Sequence, residues 1–98
     1  MTTIELAIPC VDGPTRHVKA EVYGPLCVHR AIEYGGGWRV STLKGLGIGR
    51  AYPKRKQARA VCQELLTIEG ADWEASNTHD WPETVIQQLR EIVTKERV

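Results

Sequence analysis

The sequence predicts an α+β fold, a three- to four-stranded antiparallel sheet with two helices packed on one face. Two observations carry this prediction. Between residues 3 and 52 the chain runs in short stretches of alternating apolar and polar residues, separated by turns rich in glycine and proline. From Pro53 onward the alternation gives way to apolar residues at helical spacing. The strands are too closely set for helical crossovers, so the first part reads as an antiparallel meander.

Each element has its own signal. Ile4, Leu6 and Ile8 alternate with polar or small neighbours, which makes residues 3–8 a strand ended by Pro9. Residues 11–15, VDGPT, are turn chemistry. In HVKAEVY (17–23), Val18, Ala20 and Val22 alternate with His17, Lys19, Glu21 and Tyr23, and Gly24-Pro25 breaks the strand tightly. LCVHRAI follows, and Gly35-Gly36-Gly37 leads into WRVSTL. KGLG (44–47) is a turn before the last strand, residues 48–52. Pro53 suits the first turn of a helix over residues 54–68, with Ala58, Val61, Cys62, Leu65 and Leu66 as its apolar stripe and Gly70 as its stop. Asp80-Trp81-Pro82-Glu83 combines an acidic cap, a first-turn proline and the glutamate of a capping box. It opens a second helix over residues 81–95, whose buried face is Val85, Ile86, Leu89, Ile92 and Val93.

At 98 residues the chain has the length of one domain, and no repeat or linker divides it. The expected organisation is a meander over 3–52 followed by a two-helix part over 53–96. No apolar run is long enough for a membrane span, and the N-terminus lacks a signal-peptide pattern. Cys10, Cys27 and Cys62 are odd in number and widely spaced, which fits reduced thiols in the cytoplasm better than a disulfide framework.

A net charge of +1 conceals a strong asymmetry. Residues 14–60 carry ten basic side chains against only Glu21 and Glu33, whereas residues 61–98 carry eight acids against three bases. Such a dipole is a statement about partners. If Val18, Val22, Leu26, Val28, Trp38 and Val40 face the helices, the other sheet face displays His17, Lys19, Tyr23, His29, Arg39 and Ser41. Lys54, Arg55 and Lys56, with Arg59 one turn on, gather where the last strand hands over to the first helix. Cations at a helix N-terminus oppose the macrodipole, so the cluster has a local cost of about 0.3–1 kcal/mol per charge at low salt and points to an anionic partner. The expected interface is therefore Lys19, Tyr23, His29, Arg39, Lys44, Arg50, Lys54, Arg55, Lys56 and Arg59. Lysine and arginine contact phosphates there, and the flat rings stack on bases.

Other candidate chemistries are weaker. Gly45, Gly47 and Gly49 lead into a strand, unlike a phosphate-binding fingerprint, and read as a hairpin with close backbone approach. Cys27 and His29 share a strand face but lack a third ligand or a known metal spacing. No catalytic residue, metal, cofactor, membrane or small-molecule substrate is expected. Asp72, Trp73 and Glu74, in the acidic connector, form an alternative protein-binding surface: either Trp73 plugs the corner between the helices or it is an exposed anchor.

The run W-R-V-S-T-L-x-G-L followed by an amphipathic helix resembles the sheet-plus-helix layout of AP2-like and integrase arm-type DNA-binding domains, over residues 17–68. The chain departs from the AP2 pattern after the last strand, without its Gly-Thr-Phe turn and Ala-Tyr-Asp helix. In size and texture the chain also resembles small orphan proteins of phages and mobile elements, anti-CRISPR proteins among them. The first resemblance implies DNA reading by a sheet face; the second implies a stoichiometric binder of a host nucleoprotein complex. The expected function is thus a non-enzymatic binding protein whose basic surface engages nucleic acid or a nucleic-acid-binding host complex. The alternative is an adaptor or inhibitor working through the acidic half around Trp73.

Overall fold

The computed structural model describes residues 2–8, 13–31, 36–74 and 80–95. Five strands form one antiparallel sheet in sequence order: β1 (Thr2–Ile8), β2 (Arg16–Tyr23), β3 (Leu26–Arg30), β4 (Trp38–Thr42) and β5 (Gly47–Tyr52). Two helices follow, α1 (Arg55–Leu65) and α2 (Glu83–Thr94). The α+β class and the antiparallel meander are as expected. The strand count is five rather than three or four, because β1 pairs with β2 along its whole length, from Thr2↔Val22 to Ile8↔Arg16.

The larger correction concerns which face of β2 meets the helices. Gly24 and Pro25 form a two-residue hairpin turn, with φ +64° at Gly24, so Tyr23 pairs with Leu26 and Val22 with Cys27. Directly opposed residues share a face. Leu26, Val28, Trp38 and Val40 lie on the helix side as expected, but Val18 and Val22 lie on the far side. Lys19, Glu21 and Tyr23 move to the helix side in their place. The far face carries His29, Arg39 and Ser41 together with Ile4, Leu6, Val18 and Ala20.

The main core lies between the helices and β3–β5. Leu26, Val28, Val40, Ile48 and Tyr52 pack there against Ala58, Val61, Cys62 and Leu65 of α1 and Val85 and Val93 of α2. A second, smaller cluster on the far face joins Leu6, Ala20 and Cys27, with Ile4, Ile8 and Val18 against them. Of the expected core residues, Trp38, Leu66, Ile86, Leu89 and Ile92 are only half-buried.

Local deviations have local causes. Between Trp38↔Tyr52 and Val40↔Ile48, β5 holds two more residues than β4, a bulge that includes Gly49 at φ +70°. A Cβ on Gly49 would lie 2.8 Å from Val93 Cβ, so the glycine admits the last turn of α2 onto the sheet. The Tyr52 hydroxyl fixes the same contact by donating to the Val93 carbonyl at 3.1 Å. Thr42 Oγ1 accepts from the Lys44 and Leu46 amides and closes the β4–β5 turn. Helix α1 begins two residues after Pro53, with Lys54 as N-cap and the Gln57 side chain accepting from the Lys54 amide at 3.1 Å. Helix α2 starts at Glu83 rather than at residue 81, and no side chain caps it. Pro82 is the N-cap with extended backbone, and its carbonyl accepts from the Val85 and Ile86 amides. Cys10, Gly35 and His79 lie outside the described residues.

Candidate nucleic-acid interface

Helix α1 packs on β3, β4 and β5 and leaves much of the helix-side face of β1 and β2 open. The step between the start of α1 and that open face is a cleft of about 360 Å³. Its walls include Thr3 of β1, Lys19 and Glu21 of β2, Arg30 of β3, Trp38 of β4 and Arg55 of α1. Arg30 and Trp38 meet because they are cross-strand partners, and the Arg30 guanidinium lies 5.1 Å from the indole centroid. Arg55, at the first position of α1, sits closer at 4.4 Å. Two cations thus lie over one half-buried ring, within the range of cation–π attraction.

Glu21 is the acid of this cleft, and it is occupied. Arg59 holds it with Nε–Oε1 at 2.9 Å and Nη2–Oε2 at 2.7 Å, a bidentate pair. Arg55 Nη1 adds a longer contact of 3.4 Å, and the Tyr23 hydroxyl donates to Oε1 at 3.0 Å. The Arg59 bonds, foremost, hold the Glu21 carboxyl below its ordinary value, and burial opposes them. Burial, followed by the bond to Glu21, pushes the Tyr23 hydroxyl up. Among the described residues no carboxylate lies within ion-pair distance of Lys19, Arg30, Lys54 or Lys56. Among the described residues these four cations therefore make no ion pair, although Glu5 is the cross-strand neighbour of Lys19.

The expected interface residues divide accordingly. Lys19, Lys54, Arg55 and Lys56 gather at the cleft and the start of α1, while Arg59 and Tyr23 surround Glu21. His29 does not belong to a surface. It is 1 % exposed, its Nδ1–H donates to the Arg30 carbonyl at 2.7 Å, and Ser41 Oγ lies 2.7 Å from Nε2. A carbonyl only accepts, so the ring carries a proton on Nδ1, and Nε2 is hydrogen-bonded to the Ser41 hydroxyl. Arg39 is on the far face, where Nη2 donates to the Gly49 carbonyl at 2.7 Å. Lys44 occupies the β4–β5 turn, at the far end of β4 from Trp38. Arg50 lies in the bulge, 5.4 Å from the Tyr52 ring centroid. The continuous basic surface expected from sheet face to helix is thus replaced by a compact one around Trp38.

The acidic connector is arranged differently from an exposed anchor. Trp73 is 9 % exposed and meets Trp81 edge to face, with centroids 5.2 Å apart, so it plugs the corner before α2. Asp72 and Glu74 are exposed, and Asp72 Oδ1 accepts from the Glu74 amide at 3.2 Å, a local turn.

Cys27 and His29 are both buried within the sheet. The Cys27 thiol donates toward the Ser41 carbonyl at 3.4 Å, and burial pushes it up to about 11. Cys62 is pushed up to about 12, also by burial. Among the described residues no three His, Cys, Asp or Glu side chains are grouped to hold a metal ion.

Sequence reasoning missed Arg30, Thr3 and the cleft-facing side of Trp38, and it treated Glu21 as a mere offset to the basic run. The position of Glu21 was open to deduction, since a two-residue turn at Gly24-Pro25 fixes the β2–β3 register. The Arg30–Trp38 pairing was not, because the long β3–β4 connection leaves its register free. No helix among the described residues is long and apolar enough to cross a membrane. No protein-family model matches the chain, and no curated protein and no solved structure shows significant similarity to it.

Proposed function

We propose that this protein is a non-enzymatic binding protein that engages nucleic acid through the basic cleft at the start of α1. The observation that carries the reading is Trp38 with the Arg30 and Arg55 guanidiniums over its ring, beside Lys19. Cations set around an aromatic ring match the two chemistries of a polynucleotide, phosphate charge and flat bases. Lys54 and Lys56 extend the positive surface along the first turn of α1, which has no acidic residue. A cationic first turn disfavours the helix locally, and a phosphate chain lying there would offset that cost. A host nucleoprotein complex presents the same chemistry wherever its nucleic acid is exposed, in keeping with the resemblance to small phage-type binders. The acidic connector supports the competing adaptor reading poorly, since its one large apolar side chain is turned inward.

The test is a titration with a generic duplex and with a single strand of equal length, at about 50 and about 200 mM salt. Binding to at least one of them that weakens steeply with salt is the expected result. Failure to bind either at the lower salt overturns the reading.

A further inference from the structure

The cleft is recessed, and a duplex is a poor fit for a recessed ring. In a duplex the bases are stacked inside and only the phosphate backbone reaches a protein wall, unless a base is flipped out. An unpaired nucleotide has no such constraint, and its base stacks on any exposed aromatic face. The Trp38 ring is half-buried below the level of α1, within a volume of about 360 Å³. That volume is at the lower end for small-ligand sites, about 300–1,000 Å³, and suits one nucleotide rather than a longer segment.

Resting on the nucleic-acid reading above, we propose that this cleft is a subsite for one unpaired nucleotide, so that the protein selects single-stranded over duplex nucleic acid. The base enters over Trp38, and Lys19 and Arg30 meet the phosphates on either side. Arg55 is the residue that moves. Its side chain is 48 % exposed, and its contact with Glu21 is the long one, at 3.4 Å. Glu21 loses little when Arg55 leaves, because Arg59 already satisfies both carboxylate oxygens. Arg55 can therefore yield its place over the ring to a base and turn to a phosphate instead. The same Arg59 clamp prevents Glu21 from repelling the incoming strand as an unpaired acid would. Thr3 lines the β1 wall of the cleft, and a threonine hydroxyl can both donate to and accept from a base edge.

The three tryptophans make this measurable. Trp73 and Trp81 are each 9 % exposed in the α2 corner, away from the cleft, so stacking of a base falls on Trp38 alone. Oligothymidylate and a duplex of equal length are titrated against the wild type while indole emission is recorded. The expected result is quenching by oligothymidylate, with tighter binding than the duplex. Trp38→Phe should abolish the quench, and Trp38→Ala should weaken single-strand binding by about 5- to 150-fold. Because Trp38 also touches the core, the melting profile of that variant is recorded beside its binding. The double variant Lys19→Gln/Arg30→Gln tests the same site from the surface, and should flatten the single-strand salt slope by about 0.7 per lost phosphate contact. Equal affinity for both probes without a quench overturns the subsite and leaves the general nucleic-acid reading intact. A single-strand salt slope untouched in the double variant also overturns it. Binding to neither probe removes both.

Discussion

Arg59 on α1 and Glu21 on β2 join two elements 38 residues apart through two parallel hydrogen bonds of 2.9 and 2.7 Å. The pair ties the start of the first helix to a strand that the helix does not cover. It also decides the charge of the cleft, since it removes one cation and one acid together and leaves Lys19, Arg30 and Arg55 dominant.

Glu21→Gln should lower the thermal midpoint at neutral pH, because the ionised carboxylate is the partner of Arg59. The sign of the pH dependence follows from the direction of the shift. The folded state holds this carboxyl below its ordinary value of 4.5, so its contribution is fully present above that value. The contribution fades as pH falls through the lower, folded-state value. Melting curves of wild type and variant should therefore begin to converge as pH falls below about 4.5. A gap that stays constant down to strong acid would mean that the pair adds no stability. The same substitution frees Arg55 and Arg59, so affinity for a single strand should rise.

Gly49→Ala should destabilise the fold by more than Gly24→Ala. Both glycines have positive φ, +70° and +64°, so alanine meets backbone strain of about 1–2 kcal/mol at either position. Only at Gly49 does the new Cβ meet a neighbour, Val93 at 2.8 and 2.9 Å, whereas nothing lies within 4 Å at Gly24. Denaturant melts of the two variants separate packing from conformation, and equal losses would show that α2 yields easily at its C-terminal turn.

The thiols of Cys27 and Cys62 should resist a thiol reagent at neutral pH until the chain unfolds. Both are buried with no measurable exposure, and burial lifts them to about 11 and about 12, so the thiolate is scarce. The experiment uses Cys10→Ser, so that only these two report. Rapid labelling of the native protein would show that the sheet and α1 separate readily.

Leu65→Ala should cost about 2–5 kcal/mol, since the side chain is fully buried between α1 and the sheet. A denaturant melt with little change would place the helix stripe elsewhere.

Much of the fold was legible because its signals are local. The alternation in β1–β5 and the Ala58, Val61, Cys62, Leu65 stripe of α1 depend only on residues close in sequence, and they place the elements within a few positions. The cleft was legible only in part. The basic cluster at residues 54–56 stands out in the chain, but its neighbours depend on strand register. Reading Val18 and Val22 toward the helices placed Lys19 and Tyr23 on the wrong side, although the two-residue turn at Gly24-Pro25 dictates the opposite parity. Val18 and Val22 are apolar for another reason: they belong to the far face, where Leu6, Ala20 and Cys27 form a second cluster that one-sided burial does not anticipate. His29 looked like a surface ring because histidine is polar. It is interior because the Arg30 carbonyl and the Ser41 hydroxyl satisfy both nitrogens.

Replacing Lys54, Arg55 and Lys56 together by alanine separates the function of the basic cluster from its effect on stability. Each cation in phosphate contact contributes about −0.9 to the salt slope on duplex DNA and about −0.7 on a single strand. The triple variant should therefore bind any sequence more weakly and lose up to about three units of slope on a duplex. Stability should change little, and the sign differs by residue. Among the described residues Lys54 and Lys56 have no acidic partner, and their charges oppose the helix dipole, so their removal favours α1 by about 0.3–1 kcal/mol each. Arg55 acts the other way, since its loss removes the contact with the Trp38 ring and the longer of the Glu21 contacts. The variant should thus melt close to the wild type while its binding falls, a combination that unfolding cannot imitate. Arg39→Ala is the companion measurement. Arg39 lies on the opposite sheet face, bonded to the Gly49 carbonyl, so its replacement should leave the salt slope unchanged. A slope that responds to Arg39 and ignores the triple variant would move the interface to the far face of the sheet.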